Sequence, residues 1–219
     1  MTVLSVQGVH HAFGRHRVLH GVNLVLESGA CGVLLGNNGC GKSTLLAILS
    51  TRLRLQSGQY HLAGLAVTGH EEELRSRLLF VGHHTHLYGH LTPLENLLFF
   101  SDLHGLRPSA ATLREAVDAV GLHRFAEQPV RWFSAGMKKR LALARLLLFQ
   151  PTLLLLDEPY SALDVQGVAW LNEQLGRFLR GGGVVVMASH DPERLAALPH
   201  RPLRLHRGQL YGPGERLPC

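Results

Sequence analysis

The stretch Gly36-Asn37-Asn38-Gly39-Cys40-Gly41-Lys42-Ser43-Thr44 follows an apolar run, Cys31 to Leu35, and precedes an amphipathic run, Leu45 to Leu49. Short apolar runs bounded by glycine are typical of buried strands, and the second run has helical spacing. The three pieces therefore predict a strand, a glycine-rich loop and a helix, in that order.

This loop has the composition of a phosphate cradle. Gly36, Gly39 and Gly41 can adopt backbone angles closed to other residues, so successive N–H groups can point at one anion, and the following helix adds its positive N-terminus. Lys42 is placed to reach the β- and γ-phosphates of a nucleotide, and the Ser43 hydroxyl to take one position on Mg²⁺. The alternative is a Gly/Asn-rich turn that happens to precede a helix, and the full string with its flanks argues against it.

The length is enough for one domain of generous size, with room for an inserted lobe, and the composition is typical of a packed protein. The chain has 219 residues, of which 46% are hydrophobic and 17% charged. No apolar run approaches the roughly 18 to 20 residues that span a bilayer, and Met1 to Ser5 does not begin a signal peptide. We therefore expect a cytoplasmic protein.

Neither the cysteines nor the charge indicates a special partner. Cys31, Cys40 and Cys219 form an odd set without metal-ligand spacing, which argues against disulfides and a zinc site. Oxidation of Cys40 would block a nucleotide, but a small tolerated side chain is the simpler interpretation. The formal charge of +6 is scattered, apart from short clusters at 138–140 and 201–207, so we expect a solvated surface and no nucleic-acid partner.

The first third of the chain reads as strands, with one helix. The predicted strands are Val3 to Val9, Arg17 to Leu19, Val22 to Leu26 and Cys31 to Leu35, followed by a helix over 42–52 and a hairpin from Gly58 to Leu65. This pattern indicates an antiparallel β layer that leads into a parallel sheet.

Residues 83–149 read as an inserted helical subdomain. Thr92 as N-cap, Pro93 at the first position and Glu95 as the capping-box partner begin a helix that runs to about Leu103. Two more helices are predicted, Pro108 to Val120 and Ala135 to Phe149. We therefore expect a single domain over 1–219 whose core is formed by 1–82 and 150–219.

Apolar strands return at Thr152 to Leu156 and at Val184 to Ala188, with a helix between them from about Val168 to Leu179 and a hairpin from Pro202 to Tyr211. The two strands end in Asp157-Glu158 and Ser189-His190. Because parallel strands place a ligand at their carboxyl ends, these groups and the phosphate loop are expected to form one site.

Each of these polar residues has a chemical role in that prediction. Asp157 supplies the carboxylate oxygen that Mg²⁺ prefers. Glu158 accepts a proton from an attacking water or orients it, and His190 hydrogen-bonds the γ-phosphate. An isolated strand that ends in Asp-Glu is usually a strand end meeting solvent, but the order after a phosphate loop makes this signal specific.

At this point the chain resembles the ATP-binding cassette (ABC) family over essentially its whole length. The motifs that carry the resemblance are Phe133-Ser134-Ala135-Gly136-Met137 (signature), Leu156-Asp157-Glu158-Pro159 (second nucleotide motif), Ser161-Ala162-Leu163-Asp164 (aspartate loop) and His190 (switch histidine). The resemblance implies an α/β fold with a P-loop NTPase core, an antiparallel β layer and a helical subdomain. It implies an ATPase that uses ATP and Mg²⁺.

The family resemblance also implies partners. In such proteins two cassettes close head to tail, so the resemblance implies that Ser134, Ala135, Gly136 and Asp164 of one subunit contact the nucleotide held by Lys42 of the other, and that hydrolysis needs this dimer. It also implies a separate membrane permease that the ATPase drives from a peripheral position on the inner face of the membrane. Phe13 would stack on adenine, or would be a core residue of the hairpin.

Within the family the motifs resemble those of the ATP-binding subunit of haem exporters in cytochrome c maturation. The segments concerned are 81–84, 91–97, 129–131, 134–136 and Val165-Gln166-Gly167-Val168-Ala169. In contrast, Gly136-Met137-Lys138-Lys139-Arg140-Leu141 resembles drug and polysaccharide exporters. A soluble cassette ATPase acting on nucleic acid or ribosomes is a further alternative, supported only by the basic charge.

Two departures from the family pattern concern the site. His84, or His83 if the loop is one residue longer, stands where the family has a glutamine that touches Mg²⁺ and senses the transporter, and imidazole is a poorer ligand for a hard ion. Met137 replaces the signature glutamine.

His83, His84, His86 and His90 suggest metal or haem binding, although a loop of surface histidines is the simpler interpretation. Tyr88, Leu87 and Leu91 are candidate permease contacts, or pack beneath the loop.

Overall fold

The computed structural model describes residues 1–195 and 198–216, so that Cys219 lies outside the described part of the chain. The chain forms two compact units. The first comprises Met1–Phe80, Pro151–Pro159 and Leu175–Cys219, and the second comprises Val81–Gln150 and Tyr160–Gln174.

Ten strands are described. They are β1 (Thr2–Phe13), β2 (His16–Glu27), β3 (Cys31–Leu35), β4 (Ser57–Leu62), β5 (Leu65–Ala66), β6 (Leu78–Val81), β7 (Leu153–Asp157), β8 (Val184–Ala188), β9 (Arg201–His206) and β10 (Gln209–Tyr211). They form an antiparallel sheet in the order β2-β1-β4-β5 and a six-stranded sheet in the order β10-β9-β3-β8-β7-β6. The strands β9, β3, β8 and β7 are parallel to one another, as predicted for the sheet that follows the phosphate loop.

Six α-helices are described. They are α1 (Lys42–Leu49), α2 (Glu71–Arg75), α3 (Pro93–Leu103), α4 (Ala110–Ala119), α5 (Ala135–Leu148) and α6 (Val165–Arg180), with short 3-10 turns at His123–Phe125, Val130–Trp132 and Pro192–Leu195. The bounds of α3 match the prediction, and α4 and α5 lie within one or two residues of theirs at each end.

Some local predictions were wrong. The strands predicted at Arg17 to Leu19 and Val22 to Leu26 are one strand, because Gly21 takes a positive φ of 73° and the chain passes through it without ending the pairing. Helix α1 ends three residues early, where Thr51 takes a left-handed φ of 59°. The strand β6 and the helix α2 were not predicted, since a run of only four or five residues has no clear periodicity.

The first unit has its core between the two sheets and α1. Strand β8 is buried along its whole length and β7 along four of its five residues, as expected of strands covered on both faces. Strands β1 and β2 alternate buried and exposed side chains over much of their length, so only one face of the antiparallel sheet packs inward. The core cluster is mainly leucine and valine and includes Leu45, Leu46 and Leu49 of α1.

The second unit has a separate core formed by α3, α4 and α5. Its buried side chains include Leu97, Leu113, Val117 and Leu141, and Phe133 closes it next to the first turn of α5. Ser109 and Ser134 cap the N-termini of α4 and α5 by accepting hydrogen bonds from Thr112 N and Met137 N. The caps satisfy backbone donors that have no partner within the helix.

The predicted capping box of α3 is present. Thr92 Oγ1 accepts from Glu95 N at 3.2 Å, and Glu95 Oε2 accepts from Thr92 N at 2.8 Å. The hydrogen bonds from the Thr92 backbone and then from its side chain lower the pKa of Glu95. Because the pKa of Glu95 is lowered in the folded chain, the ionised carboxylate stabilises the folded state at pH values above the ordinary carboxyl pKa. This stabilisation is lost as pH falls through the lowered pKa.

We expect Thr92→Ala to lower the free energy of unfolding by about 1 kcal/mol, because the hydroxyl that accepts from the Glu95 N–H is lost. Thr92→Ser keeps the hydroxyl and is the matched control. Urea denaturation followed by circular dichroism measures the change. Equal midpoints for the alanine and serine variants would contradict the capping role.

Candidate functional site

Three parallel strands of the first unit end at the same edge of the sheet. Strand β8 lies between β3 and β7, with Ala188 in register with Leu34 on one side and with Asp157 on the other. The phosphate loop, Ser189-His190 and Glu158 therefore leave the sheet side by side. This confirms that the three polar strand ends are brought together, as strand order in a parallel sheet requires.

The phosphate loop has the predicted backbone. Gly36, Gly39 and Gly41 have φ values of 151°, 78° and 109°, in the region that favours glycine. At Gly36 a side chain is excluded as well, because a Cβ atom there would lie 2.4 Å from the carbonyl oxygen of Leu205. Gly41 is the N-cap of α1, so the helix begins directly where the loop ends.

Lys42 lies across the loop and is only 7% exposed. Its Nζ donates to the carbonyl oxygens of Gly36 at 2.7 Å and Asn37 at 3.1 Å. An ammonium group has three N–H donors, so it can hold the loop and still donate to an oxygen of a bound phosphate. Ser43, the next residue, is exposed.

Glu158 and His190 form a pair at this edge. His190 Nε2 lies 3.3 Å from Glu158 Oε1, and His190 N donates to Glu158 Oε2 at 3.4 Å. Glu158 has a left-handed φ of 49°, and its backbone N–H donates to Ala188 O at 3.0 Å. Such a backbone in a residue other than glycine is uncommon and often found at functional sites. It places the carboxylate beside the neighbouring strand end.

The donors at this edge fit a magnesium ion that is shared with a nucleotide. The hydroxyl of Ser43 and the half-buried carboxylate of Asp157 are hard oxygen ligands. The described residues contain no group of three or more His, Cys, Asp or Glu placed to hold a metal ion by themselves. Magnesium in phosphate sites characteristically uses one or two protein groups together with water and phosphate oxygens, so this donor set suits it.

Phe13 ends β1 and is 52% exposed. This exposure rules out the alternative that it is a buried core residue of the hairpin. One side of its ring meets the buried ring of His11, with centroids 4.8 Å apart in an edge-to-face arrangement. The rest of the Phe13 ring is available for stacking, as the first interpretation requires.

In the second unit, the signature residues lie at the start of α5. Ser134 and Ala135 are exposed, and Gly136 is packed so closely against the aspartate loop that a Cβ atom would lie 2.7 Å from Ala162 O. Asp164 caps α6 by accepting from Gly167 N at 2.9 Å. The signature and the aspartate loop are therefore held against each other within this unit.

The histidine-rich loop after β6 contains a series of ring contacts. The rings of His83 and His84 are 5.5 Å apart and those of His84 and His86 are 6.5 Å apart, each pair near perpendicular. Tyr88 is 45% exposed and packs edge-to-face on Phe99 of α3 at 4.8 Å. Leu87 is partly buried against the core of the unit, which favours packing for that residue.

Sequence reasoning missed Asn96, which is buried in α3. Its side chain accepts from Tyr88 N at 2.8 Å and donates to the carbonyl oxygens of Tyr88 and Thr92 at 3.1 Å and 2.9 Å. The sequence signal that identifies Asn96 is a polar residue at a position where the helical spacing predicts an apolar, buried side chain. Lys139 and Arg145 of α5 carry the same signal, since both are buried.

The two described cysteines differ in burial. Burial raises the pKa of Cys31 to about 12, which keeps this thiol protonated and unreactive. Cys40, inside the phosphate loop, is partly exposed.

Within the described residues, no helix is both long enough and apolar enough to cross a membrane.

Known proteins resemble this chain over most of its length. The family profile described as ABC transporter matches residues 19–161. The cytochrome c biogenesis ATP-binding export protein CcmA of Methylococcus capsulatus is 37% identical over 187 residues, covering 85% of this chain and 90% of that protein. The protein of the same name from Pseudomonas fluorescens is 41% identical over 169 residues, covering 77% of this chain and 80% of its own length.

A solved structure described as the ATP binding subunit of an ABC transporter has the same fold. Its TM-score with this chain is 0.86 at 25% sequence identity, and the match covers 95% of this chain and 88% of that one. The structural likeness therefore includes the sheets, the phosphate loop and the helices of the second unit.

We expect Gly136→Ala to lower the free energy of unfolding by about 1 to 3 kcal/mol, because the backbone of Ala162 must move to admit the new methyl group. Gly89→Ala is the matched control in the same unit, since its Cβ would meet no atom closer than 3.4 Å. Thermal or urea unfolding measures both. Equal loss in the two variants would show that the close approach at Ala162 is not what requires glycine.

Proposed function

Because this chain belongs to the ABC transporter family, we propose that it is the ATP-binding and ATP-hydrolysing subunit of an exporter in cytochrome c biogenesis, with haem as the cargo. The observation that carries this proposal is the similarity to cytochrome c biogenesis ATP-binding export proteins at 37% and 41% identity. The Glu158–His190 pair beside the phosphate loop supports hydrolysis rather than binding alone.

ATP binding uses the first unit. The backbone N–H groups of residues 36–44 and the Lys42 ammonium take the β- and γ-phosphates, because the loop is already shaped by its glycines. Phe13 offers an exposed ring face for adenine. The residues that would hold Mg²⁺ are Ser43 and Asp157, with His84 as a weaker candidate, and the ion would neutralise charge on the phosphate oxygens.

Hydrolysis uses the pair at the neighbouring strand ends. Glu158 orients the attacking water and accepts its proton, since its carboxylate accepts from the backbone N–H of His190 and its own backbone N–H donates to Ala188 at the end of β8. His190 lies next to this carboxylate and donates to the γ-phosphate. Both groups come from the ends of strands buried in the sheet, so their spacing is set by backbone pairing rather than by flexible loops.

A second copy of the chain completes each site in this proposal. Ser134, Ala135 and Gly136 lie at the N-terminus of α5, where free backbone N–H groups favour an anion. Asp164 stands at the adjoining aspartate loop. In a head-to-tail dimer these residues face the nucleotide that the other copy holds. Residues 1–82 and 150–219 then act as the nucleotide-binding core and residues 83–149 as the signature subdomain.

The partner that ATP hydrolysis drives is a membrane permease on a separate chain. The surface of the second unit around residues 84–94 carries the exposed side chains of Tyr88, Leu98 and Phe99. Clustered aromatic and aliphatic groups of this kind suit a short amphipathic helix of a permease. Docking there holds the ATPase peripherally at the inner face of the membrane.

Co-purification tests the cargo and partner directly. Tagged Glu158→Gln protein is recovered from detergent-solubilised native membranes with ATP and Mg²⁺, and the associated proteins are identified. Cytochrome-maturation membrane proteins are the expected result. Another permease would support the drug or polysaccharide exporter suggested by Met137 to Leu141. Ribosomes or nucleic acid without any membrane protein would overturn the transport proposal.

We predict that Glu158→Gln lowers the ATPase kcat by at least about 100-fold, because the amide cannot accept the proton of the attacking water. ATP binding is retained, and the dimer accumulates in ATP. Phosphate release and size-exclusion chromatography measure the two effects, and Glu115→Gln on the exposed face of α4 is the control. Unchanged turnover would remove Glu158 from this role.

We predict that His84→Gln changes the Mg²⁺ concentration needed for half-maximal ATPase activity, because an amide oxygen is a better ligand for a hard ion than imidazole. His83→Gln is the matched control and also tests the alternative register. Titration of activity with Mg²⁺ at constant ATP measures the shift. If neither variant alters the titration, the loop histidines do not contribute to the metal site.

A further inference from the structure

The loop at residues 82–91, which we name the histidine loop, is bonded at four points to the segment at residues 130–145, which contains the signature residues. Arg131 N donates to Gly89 O at 2.7 Å and Val130 N to Leu91 O at 2.9 Å. The other two bonds come from side chains of α5, where Lys139 Nζ donates to Gly82 O and Arg145 Nη2 donates to Thr85 O.

Lys139 is a buried cation, with only 2% of its surface exposed. Its Nζ lies 3.4 Å from Gly82 O, where the chain leaves β6. A buried ammonium group is costly unless its protons are used, so the carbonyl contact is a condition for lysine at this position. The adjacent Lys138 is partly exposed and points elsewhere on the helix, which makes it a natural comparison.

Arg145 connects three pieces of the second unit. Its guanidinium is 3.2 Å from Thr85 O and lies 4.6 Å above the ring of Phe100 in α3. Burial lowers the pKa of Arg145 to about 10, so the group remains charged at neutral pH. Among the described residues its Nε is buried without a hydrogen-bond acceptor, while Nη2 and the face of the guanidinium make the two contacts above.

The histidine loop needs this support because its backbone is unusual. His86 has a left-handed φ of 51°, which residues other than glycine rarely adopt. Asn96 holds the far end of the loop through Tyr88 and Leu91. The hydrogen bonds that Asn96, Lys139 and Arg145 make to the loop all involve its backbone atoms, so these bonds do not depend on which side chains the loop carries.

We propose that Lys139 and Arg145 are positioning residues that bind the histidine loop to α5, so that a displacement of the loop by a partner reaches Ser134 and Gly136. The inference rests on the proposed function for its consequence in ATP hydrolysis. The link itself is a property of the free chain. The inference gives Lys139 and Arg145 a positioning role, whereas the proposed function assigns them no role in binding ATP.

Amide hydrogen exchange of the full chain without nucleotide tests the link. Lys139→Met keeps an unbranched side chain that is one atom shorter and removes the donor, and we expect the amides of Tyr88, Val130 and Arg131 to exchange about tenfold faster. Lys138→Met is the matched control and should leave these amides unchanged. Arg145→Met should act like Lys139→Met, and Arg145→Lys should restore part of the protection if a donor to Thr85 is what matters.

The outcomes are decisive whether or not a variant is destabilised. Unchanged exchange at these three amides in both methionine variants would overturn the inference, as would a uniform increase that includes the amides of α4 to the same degree. If Arg145→Met does not fold, Lys139→Met and Arg145→Lys still decide between the two results.

A kinetic measurement separates positioning from simple packing. In Lys139→Met we expect the ATPase kcat to fall about tenfold while half-saturation by ATP stays within about twofold, because ATP is held by the other unit. Faster exchange with unaltered kcat would overturn the transmission to Ser134 and Gly136. Failure of the unsubstituted protein to hydrolyse ATP would count against the proposed function alone, since the exchange experiment needs neither nucleotide nor permease.

Discussion

Backbone pairing among the parallel strands β3, β8 and β7 is the constraint on which the first unit depends. These strands are almost wholly buried, so each N–H and C=O must pair with a neighbouring strand, and the register is set to the residue. With Ala188 opposite both Leu34 and Asp157, the groups that follow each strand leave the sheet at the same level. Residues far apart in the chain thus become neighbours without any specific side-chain contact.

The sheet also explains why the chemistry is carried by strand ends. A carboxylate buried inside the sheet would be strongly disfavoured, whereas Glu158, just beyond β7, is partly exposed and bonded to the backbone of His190. Its left-handed backbone has an energetic cost of about 1 to 3 kcal/mol, which the surrounding pairing must offset. The flexible part of the site is therefore small.

In the second unit, buried polar side chains hold the histidine loop. Asn96, Lys139 and Arg145 all direct hydrogen bonds to backbone carbonyl oxygens of one connection. Because a buried donor without a partner is costly, such residues specify one loop conformation where apolar contacts would tolerate several.

By itself the sequence determined the phosphate loop, the start of α3 and the strands that carry Asp157-Glu158 and Ser189-His190, because these follow from local periodicity, glycine placement and capping patterns. The order of its motifs identified the family by resemblance. It did not predict β6, the unbroken β2 or the end of α1, where pairing and a single left-handed residue override local preference. Only the tertiary structure decided that Phe13 is exposed, that Glu158 meets His190 and that Lys139 and Arg145 turn inward. Those facts depend on which distant backbone atoms come within hydrogen-bond distance, and that is set by packing of whole elements rather than by neighbouring residues in the chain.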